Sequence, residues 1–402
     1  MKTLFITTQF PYPMDNGGKI GALNGIEVIS SLSDVTVLSF TEERNTVNEG
    51  LAYFQDKLPR VTFDDPVDHL VHIRKKPLKL IKTMLSSYAS GVPYVAAKFD
   101  NAEMYKRIDA CFEASRFDIV FIDYLNMYQY AAYIRKKYAG RFSKMLFKNH
   151  NIEYEIVEQE SKKQSGLKKL LLDIEWRRTR NYETKAVAES SMVFTVCDEN
   201  TQFFRQHNPN VHSMKPICSL NAVDYKQTSK NSILYVGNVS WQANMEGLKW
   251  FVDNSWQKIR QQVPDAQLNI VGSGNVENPF TDVEGVNFLG YVDDLDALYQ
   301  QHRAFVVPLF EGSGIRIKIL EAFNNEIPVV STTLACETIG ATHAREIMVA
   351  DTADDFARSV IKLLQSDELN RQQAALAKTF LKQHFSLASR KQEFQDLLLM
   401  ES

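Results

Sequence analysis

The chain has 402 residues, of which 44% are hydrophobic, and its formal net charge is −3 at pH 7. This length exceeds the roughly 250–300 residues at which a single hydrophobic core stops growing, so we expect two domains. Acidic and basic residues are interspersed, which argues against nucleic acid as a partner. The four cysteines are widely spaced and form neither a metal-ligand cluster nor a disulfide framework, so a reducing cytoplasm fits the chain best.

Short apolar runs alternate with amphipathic stretches along the whole chain, a pattern typical of doubly wound, mostly parallel sheets. In the first half we predict strands at 3–9, 34–40, 118–123, 145–150 and 192–196, and one long charged helix around 152–189. After a polar stretch near 224–232 the pattern restarts with strands at 232–238, 267–273, 286–291, 304–309 and 328–332, and further helices follow from 353 to 400. The sequence therefore predicts two Rossmann-like α/β domains, with ligands bound in a cleft at the carboxyl ends of the strands.

The first predicted strand leads into Q-F-P-Y-P-M-D-N-G-G-K-I, in which Gly17 and Gly18 precede a helix that we expect to start near Lys19. Glycines at this place let backbone N–H groups approach a phosphate at the positive end of a helix. A steric need for glycine in a strand-to-helix turn explains the pair equally well. We predict Gly17 and Gly18 as donor-binding residues.

Two other features of the first half are candidates for binding. Basic and apolar residues interleave at 74–88, in R-K-K-P-L-K-L-I-K-T-M-L-S-S-Y, which indicates either peripheral contact with an anionic membrane or an ordinary solvated helix. The strand at 145–150 ends in K-N-H-N-I-E-Y-E, so His150 lies at its carboxyl end. A lone histidine is usually structural, but its place beside the expected cleft favours contact with the sugar or the acceptor.

The most informative segment is P-L-F-E-G-S-G-I-R-I-K-I-L-E-A-F-N-N-E-I-P-V-V-S-T-T at 308–333, which reads as strand, glycine turn, helix and strand. We expect Gly312 and Gly314 to open the helix. The free N–H groups of Ser313, Gly314 and Ile315 would then face a diphosphate, with the helix dipole behind them.

The same helix carries three charged candidates. Arg316 and Lys318 would supply mobile positive charge for the diphosphate. Glu321 would accept hydrogen bonds from ribose hydroxyls, as acidic residues do in nucleotide sites, although a solvated helix charge is the plainer alternative.

This segment resembles the donor-nucleotide motif of glycosyltransferase family 4, an E-x7-E pattern followed by A-[MF]-A-x-G-x-P-V-V. Glu321 matches the second glutamate, whereas Ser313 stands at the first acidic position and Glu311 lies two residues before it. The variant G-x-G-I-R-I-K-I-L-E-A resembles an exopolysaccharide and cell-surface glycan branch of the family, which shares the P-Y-P-x-D-x-G start. The resemblance implies the GT-B architecture, two Rossmann-like domains facing a central cleft.

The resemblance also implies domain bounds and further site residues. It places an acceptor domain at 1–224, a donor domain at 225–384, and a last helix at 385–402 that crosses back to the first domain. Family members often carry G-R-x4-K-G after the strand at 232–238; here Gly237 is kept, while Asn238 and Asn244 replace the basic residues. We expect Arg316 and Lys318 to compensate for the lost charges. His150 resembles the acceptor-side histidine, and 219–224 resembles a segment near the domain crossing.

The function implied is a retaining, metal-independent glycosyltransferase that moves a sugar from a nucleotide-sugar donor to a glycan or lipid-linked glycan in cell-surface polysaccharide synthesis. No cofactor is expected, because the pairs at 64–65 and 293–294 lie in ordinary polar turns and positive groups can stabilise a leaving diphosphate without metal. A cytoplasmic protein, peripheral at the inner face of the membrane, fits this function. Two alternatives stay open: a non-catalytic partner subunit, favoured by Ser313, Asn238 and Asn244, and a nucleotide-sugar epimerase.

Overall fold

The computed structural model describes every residue except 15, 70–76, 219, 221–224, 226–227, 229, 273–276, 293–294, 313–314 and 401–402, and for 77–79, 296 and 400 it describes the backbone alone. The chain divides into two compact units. The first contains Met1–Pro216 together with Arg390–Ser402, and the second contains Ile217–Ser389.

The first unit is built on a parallel sheet of seven strands in the order β4-β2-β1-β6-β7-β8-β9. These strands are β1 Lys2–Ile6, β2 Asp34–Leu38, β4 Val61–Phe63, β6 Ile119–Asp123, β7 Lys144–Asn149, β8 Met192–Thr195 and β9 Val211–Ser213. A separate parallel pair joins β3 Phe40–Thr41 to β5 Val67–Asp68. Every residue of β6 is buried, as expected for a central parallel strand covered on both faces.

The helices of the first unit alternate with its strands. They are α1 Gly17–Ser30, α2 Val47–Lys57, α3 Pro77–Ser90, α4 Tyr94–Ala97, α5 Ala102–Ala114, α6 Tyr128–Lys137, α7 Glu153–Lys162, α8 Gly166–Glu189 and α9 Asp198–Phe204. The prediction of one long helix at 152–189 was wrong. The chain breaks between α7 and α8, where Gly166 takes a φ of +60° that a continuing helix does not allow.

The second unit contains a parallel sheet of six strands in the order β12-β11-β10-β13-β14-β15. Its strands are β10 Ser232–Val236, β11 Gln267–Val271, β12 Val286–Gly290, β13 Ala304–Val307, β14 Val329–Ser331 and β15 Met348–Val349. Its helices are α10 Gln242–Phe251, α11 Gln257–Gln262, α12 Leu295–Tyr299, α13 Ile317–Asn324, α14 Thr333–Cys336, α15 Ala353–Gln365 and α16 Asp367–Phe385; α17 Leu387–Met400 follows and ends in the first unit. The two parallel sheets with alternating helices confirm the predicted α/β fold class.

Apolar side chains from both faces of each sheet form the cores. In the first unit the core includes Phe112, Phe147 and Tyr130, and in the second it includes Phe251, Phe305 and Trp256. Among the described residues, no helix has both the length and the apolar composition that crossing a bilayer requires.

Candidate functional site

In the first unit, the predicted residue His150 follows directly after β7, at the same sheet edge where β6 ends in Asp123. His150 Nε2 lies 2.7 Å from Asp123 Oδ1, and Thr7 Oγ1 donates to Asp123 Oδ2 at 2.8 Å. Burial opposes ionisation of Asp123, but the nearby His150 ring, Lys148 and the hydrogen bonds outweigh it and lower the pKa of this carboxyl. A carboxylate therefore accepts a hydrogen bond from the histidine ring.

The His150 ring is held in one protonation state. Burial lowers its pKa, Asp123 acts in the opposite direction, and Lys148 adds to the lowering. A neutral imidazole that donates from Nε2 to Asp123 keeps its lone pair on Nδ1. His150 can thus accept a hydrogen bond from a hydroxyl group of a ligand.

The first turns of α1 lie against this histidine. Tyr124 stacks on the His150 ring with centroids 3.7 Å apart and planes at 3°, and its hydroxyl donates to Gly18 O at 3.5 Å. A Cβ added at Gly21 would stand 3.1 Å from His150 Cε1, so a larger residue here would press against the ring. Gly17 and Gly18 do not precede the helix as expected; they are its first two residues, because Asn16 accepts from Lys19 N and caps it.

A buried glutamate supports the loop that carries His150. Glu183 on α8 accepts hydrogen bonds from Asn149 Nδ2 at 2.7 Å, Glu153 N at 3.0 Å and Tyr154 N at 3.2 Å. Burial raises the pKa of Glu183 to about 7, against the effect of these hydrogen bonds. The Glu183 carboxyl group therefore holds the residues on both sides of His150, Asn149 before it and Glu153 and Tyr154 after it.

In the second unit, the loop after β10, the first turn of α10 and the helix α13 bring four predicted residues together. Lys318 Nζ donates to Asn244 Oδ1 at 3.2 Å, and Asn244 Nδ2 donates to Asn238 O at 2.8 Å. A Cβ added at Gly237 would lie 2.7 Å from Lys318 Nζ, so glycine makes room for the ammonium group. Lys318 also donates to Tyr235 OH at 3.4 Å, a residue that the sequence interpretation missed.

The electrostatics of this cluster suit an anion. Burial, and to a smaller extent Arg316, lower the pKa of Lys318 to about 8, while Glu321 acts in the opposite direction. Lys318 is therefore mostly charged at pH 7, and its hydrogen-bond partners Tyr235 and Asn244 are neutral. A phosphate beside this lysine would form the charge-assisted hydrogen bonds that neutral partners do not supply.

Arg316 lies next to an exposed indole. Its guanidinium is 6.0 Å from the centroid of Trp241, and a Cβ added at Gly312 would stand 2.8 Å from Trp241 Cη2 and 3.0 Å from Arg316 Nη2. Gly312 has a φ of +104°, which side-chain-bearing residues rarely adopt. Burial lowers the pKa of Arg316, and Glu337 acts against this.

Two expectations about the α13 segment were wrong. The helix begins at Ile317 with Arg316 as its N-cap, so Gly312 and Ile315 lie before it. Arg316 has a ψ of 88°, which lies outside the helical region, so the helix begins only after this residue. Arg316 is 9% exposed and Lys318 is largely enclosed, so neither is a mobile surface charge.

Other predicted positions stand as follows. Glu321 lies on α13 and is partly buried, and its ribose contact stays a prediction. Ser313 and Gly314 lie outside the described residues, as do the pair at 293–294 and most of 219–224. Asp64 and Asp65 form ion pairs with Arg107 at 2.8 Å and Arg44 at 2.5 Å.

Residues 230–366 match the family model of the glycosyl transferases group 1. The second unit thus carries a sequence segment of the group 1 glycosyl transferase type. Its solved structural neighbours carry the GT-B fold, which extends over the whole chain. They include sucrose-phosphate synthase from Thermosynechococcus elongatus, with a TM-score of 0.65, 14% identity and 100% of each chain covered. HepE from Anabaena, solved in complex with UDP and glucose, has a TM-score of 0.60 and 13% identity, again over 100% of each chain.

A relative of the whole chain is known from sequence. An uncharacterized 44.6 kDa protein in the cps region of Klebsiella pneumoniae is 21% identical over 96% of each chain.

Proposed function

We propose that this glycosyltransferase belongs to family 4 and transfers a sugar from a nucleotide-sugar donor to a glycan or lipid-linked glycan, with retention of configuration, in cell-surface polysaccharide synthesis. The cps-region relative supports the pathway class, and the UDP and glucose in HepE support the donor class. The neutral His150 beside Asp123 supports a role in binding sugar hydroxyls.

The observation that carries the proposal is the enclosed ammonium group of Lys318. It lies within the segment that matches the group 1 family, beside Gly237 and Asn244 at the carboxyl end of a parallel strand. Phosphates bind at this edge of open α/β sheets. We infer that Lys318 and Arg316 bind the donor diphosphate, and that Asn238 and Asn244 position the lysine instead of contributing charge themselves.

In the proposed reaction, the bond between the anomeric carbon and the diphosphate oxygen breaks while the acceptor oxygen bonds to the same face of that carbon. The acceptor proton passes to the leaving diphosphate, and a nucleoside diphosphate is released. Lys318 stabilises the charge that develops on the leaving group, a role that needs no metal ion.

The pH dependence of donor binding tests the role of Lys318. Below pH 8 the lysine is charged and binds the diphosphate; as pH rises through about 8 it loses its proton, so donor affinity should fall between pH 7 and pH 9. Calorimetric titration in EDTA with UDP-glucose, GDP-mannose and dTDP-glucose measures the affinity. Loss of one charge-assisted contact should weaken binding about tenfold.

Lys318→Arg is the matched control, because arginine stays charged over this range and should flatten the pH dependence. Lys318→Met should bind weakly at every pH. A wild-type affinity that is constant from pH 7 to pH 9 would remove the lysine from the donor site. If none of the three donors binds, the chain is better explained as a non-catalytic partner subunit, and conversion of a donor without any acceptor would indicate an epimerase.

A further inference from the structure

A polar cavity lies in the first unit and has no role in the proposal above. It has a volume of about 320 Å³ and lies between the segment after β1, the start of α1 and the strand pair β3 and β5. Small-molecule sites usually occupy about 300–1,000 Å³, so this pocket has room for a small ligand unit. Its polar lining includes Gln9, Tyr12, Asn16, Lys19, Glu43 and His69.

The pocket shares a wall with the His150 cluster. A Cβ added at Gly18 would stand 2.7 Å from Gln9 Nε2 and 3.2 Å from both Asn16 Oδ1 and Tyr124 OH. Gln9 and Asn16 line the pocket, whereas Tyr124 stacks on His150. Gly18 and the Tyr124 ring therefore stand between the pocket and the histidine that we place at the transferred sugar.

The charges around the pocket indicate what it binds. Lys19 Nζ forms an ion pair with Glu43 Oε2 at 2.9 Å, and Glu42 adds a second carboxylate to the lining. The Lys19 side chain is 10% exposed, so its pairing with Glu43 is shielded from water on one side. One ammonium group against two carboxylates disfavours an anionic ligand, whereas a hydroxyl group can donate to the carboxylates and accept from the amides.

We propose that this pocket binds the acceptor end of the reaction as an uncharged, hydroxyl-rich sugar unit, and that Glu43 sets its preference against units bearing phosphate or carboxylate. This inference rests on the proposed transferase function and adds the chemical class of the acceptor. The aromatic residues Phe10, Tyr12 and Phe40 in the lining would pack against the C–H face of a sugar ring.

Saturation-transfer NMR on the full-length chain tests the preference. The neutral probes are methyl glycosides of glucose, galactose and N-acetylglucosamine, and the anionic probes are glucose 1-phosphate and glucuronic acid. UDP is present in every sample to occupy the proposed donor site and to report on it separately. We expect the neutral probes to receive saturation and the anionic ones to receive little.

Three variants distinguish the pocket from other surfaces. Glu43→Lys should weaken binding of the neutral probes about tenfold and strengthen binding of glucose 1-phosphate, because it inverts the charge of this side chain at the pocket. Glu43→Gln, which keeps the side-chain size, should reduce the preference for neutral over anionic probes without inverting it. Glu113→Lys makes the same charge change at an exposed position of α5 and should alter neither.

The proposal is overturned if anionic probes bind the wild type as well as neutral ones, or if Glu43→Lys behaves like Glu113→Lys while remaining folded by thermal melting. Its failure is separable from that of the transferase function. Loss of the UDP signal with intact neutral-sugar signals contradicts donor binding and supports sugar binding in the pocket. Loss of the neutral-sugar signals with an intact UDP signal contradicts only the proposed role of the pocket.

Discussion

The hydrogen-bonded pair of His150 and Asp123 carries one proton, and the histidine ring holds it. The lowered pKa of Asp123 keeps it a carboxylate, and the lowered pKa of His150 keeps the ring neutral. The carboxylate therefore selects the tautomer with the proton on Nε2. In the proposed site, the accepting Nδ1 depends on Asp123 as much as on the histidine itself.

Asp123→Asn tests this dependence. An amide can donate to Nε2 and so favours the tautomer with the proton on Nδ1, which cannot accept from a sugar hydroxyl. We expect kcat to fall about 10–100-fold, as is typical when an orienting partner is lost, while donor affinity is unchanged because Lys318 is untouched. Transfer kinetics and ¹⁵N shifts of the ring measure the two effects.

The control for this variant is Asp118→Asn, at an exposed carboxylate that accepts from Lys2 N just before the same strand. It should leave both kcat and the ring tautomer as in the wild type. An Asp123→Asn enzyme with unchanged kcat and a shifted tautomer would remove His150 Nδ1 from the reaction.

The sequence predicted His150 but not its partner. Asp123 ends a strand 27 residues earlier in the chain, and only the parallel pairing of β6 with β7 brings the two together. The strand-end position of Asp123 was a usable signal, because β6 was predicted to end at that residue. The burial of Lys318 was not predictable from local pattern, since it depends on Tyr235 and Gly237 from a distant strand.

At the scale of elements, α10 packs against the end of β13 without a side chain between them. A Cβ added at Gly247 would stand 1.7 Å from Pro308 O, a backbone atom that no side-chain rotation can move away. Gly247→Ala must therefore shift the helix or the loop after β13. We expect a loss of at least about 3 kcal/mol in the free energy of unfolding, the upper part of the usual cost of overpacking.

Urea unfolding followed by circular dichroism measures this loss. Glu246→Ala changes the adjacent, exposed residue of the same helix and should stay within about 0.5 kcal/mol of the wild type, as surface substitutions usually do. Equal stability of the two variants would mean that α10 does not approach Pro308 this closely.

Element positions were predictable where the pattern is long and apolar. The ten predicted strands are present, with ends displaced by a few residues, because buried parallel strands read as continuous apolar runs. The shorter strands β3, β4, β5, β9 and β15 were missed, since two or three residues carry too little pattern. The start of α13 was misplaced because glycines usually mark a helix boundary, whereas here Ile315 and Arg316 continue the turn.

At the scale of the whole molecule, the end of the chain returns to the first unit. Residues Arg390–Ser402 group with Met1–Pro216, and the Phe394 ring lies 5.6 Å from the ring of Phe194. Phe394 is 2% exposed and Leu398 is also buried. The last turns of α17 thus complete the core of a unit whose other residues end at Pro216.

Peripheral membrane contact is the remaining expectation at this scale. The described part of the basic, apolar segment forms α3, which exposes Ile81, Leu85 and Tyr88, and Lys82 adds a positive charge. We expect the protein to sediment with phosphatidylglycerol vesicles at low salt, and less at high salt. Leu85→Glu should reduce the bound fraction severalfold, because it places a charge where apolar contact is proposed.

Leu399→Glu is the matched control, since Leu399 is 63% exposed on α17 and receives the same change. It should sediment like the wild type. If wild-type protein stays in the supernatant with anionic vesicles at low salt, α3 is an ordinary solvated helix.

The exposed indole beside Gly312 and Arg316 would give the proposed donor site a fluorescence signal. The chain has four tryptophans, and Trp241 is 42% exposed while Trp256 is 3% exposed. A water-exposed indole emits at longer wavelength than an enclosed one, and Trp241 is the most exposed of the four, so it should contribute most to the red edge of the emission spectrum. A nucleotide seated against this ring would quench that edge, and donors could be ranked by titrating unlabelled protein in a cuvette.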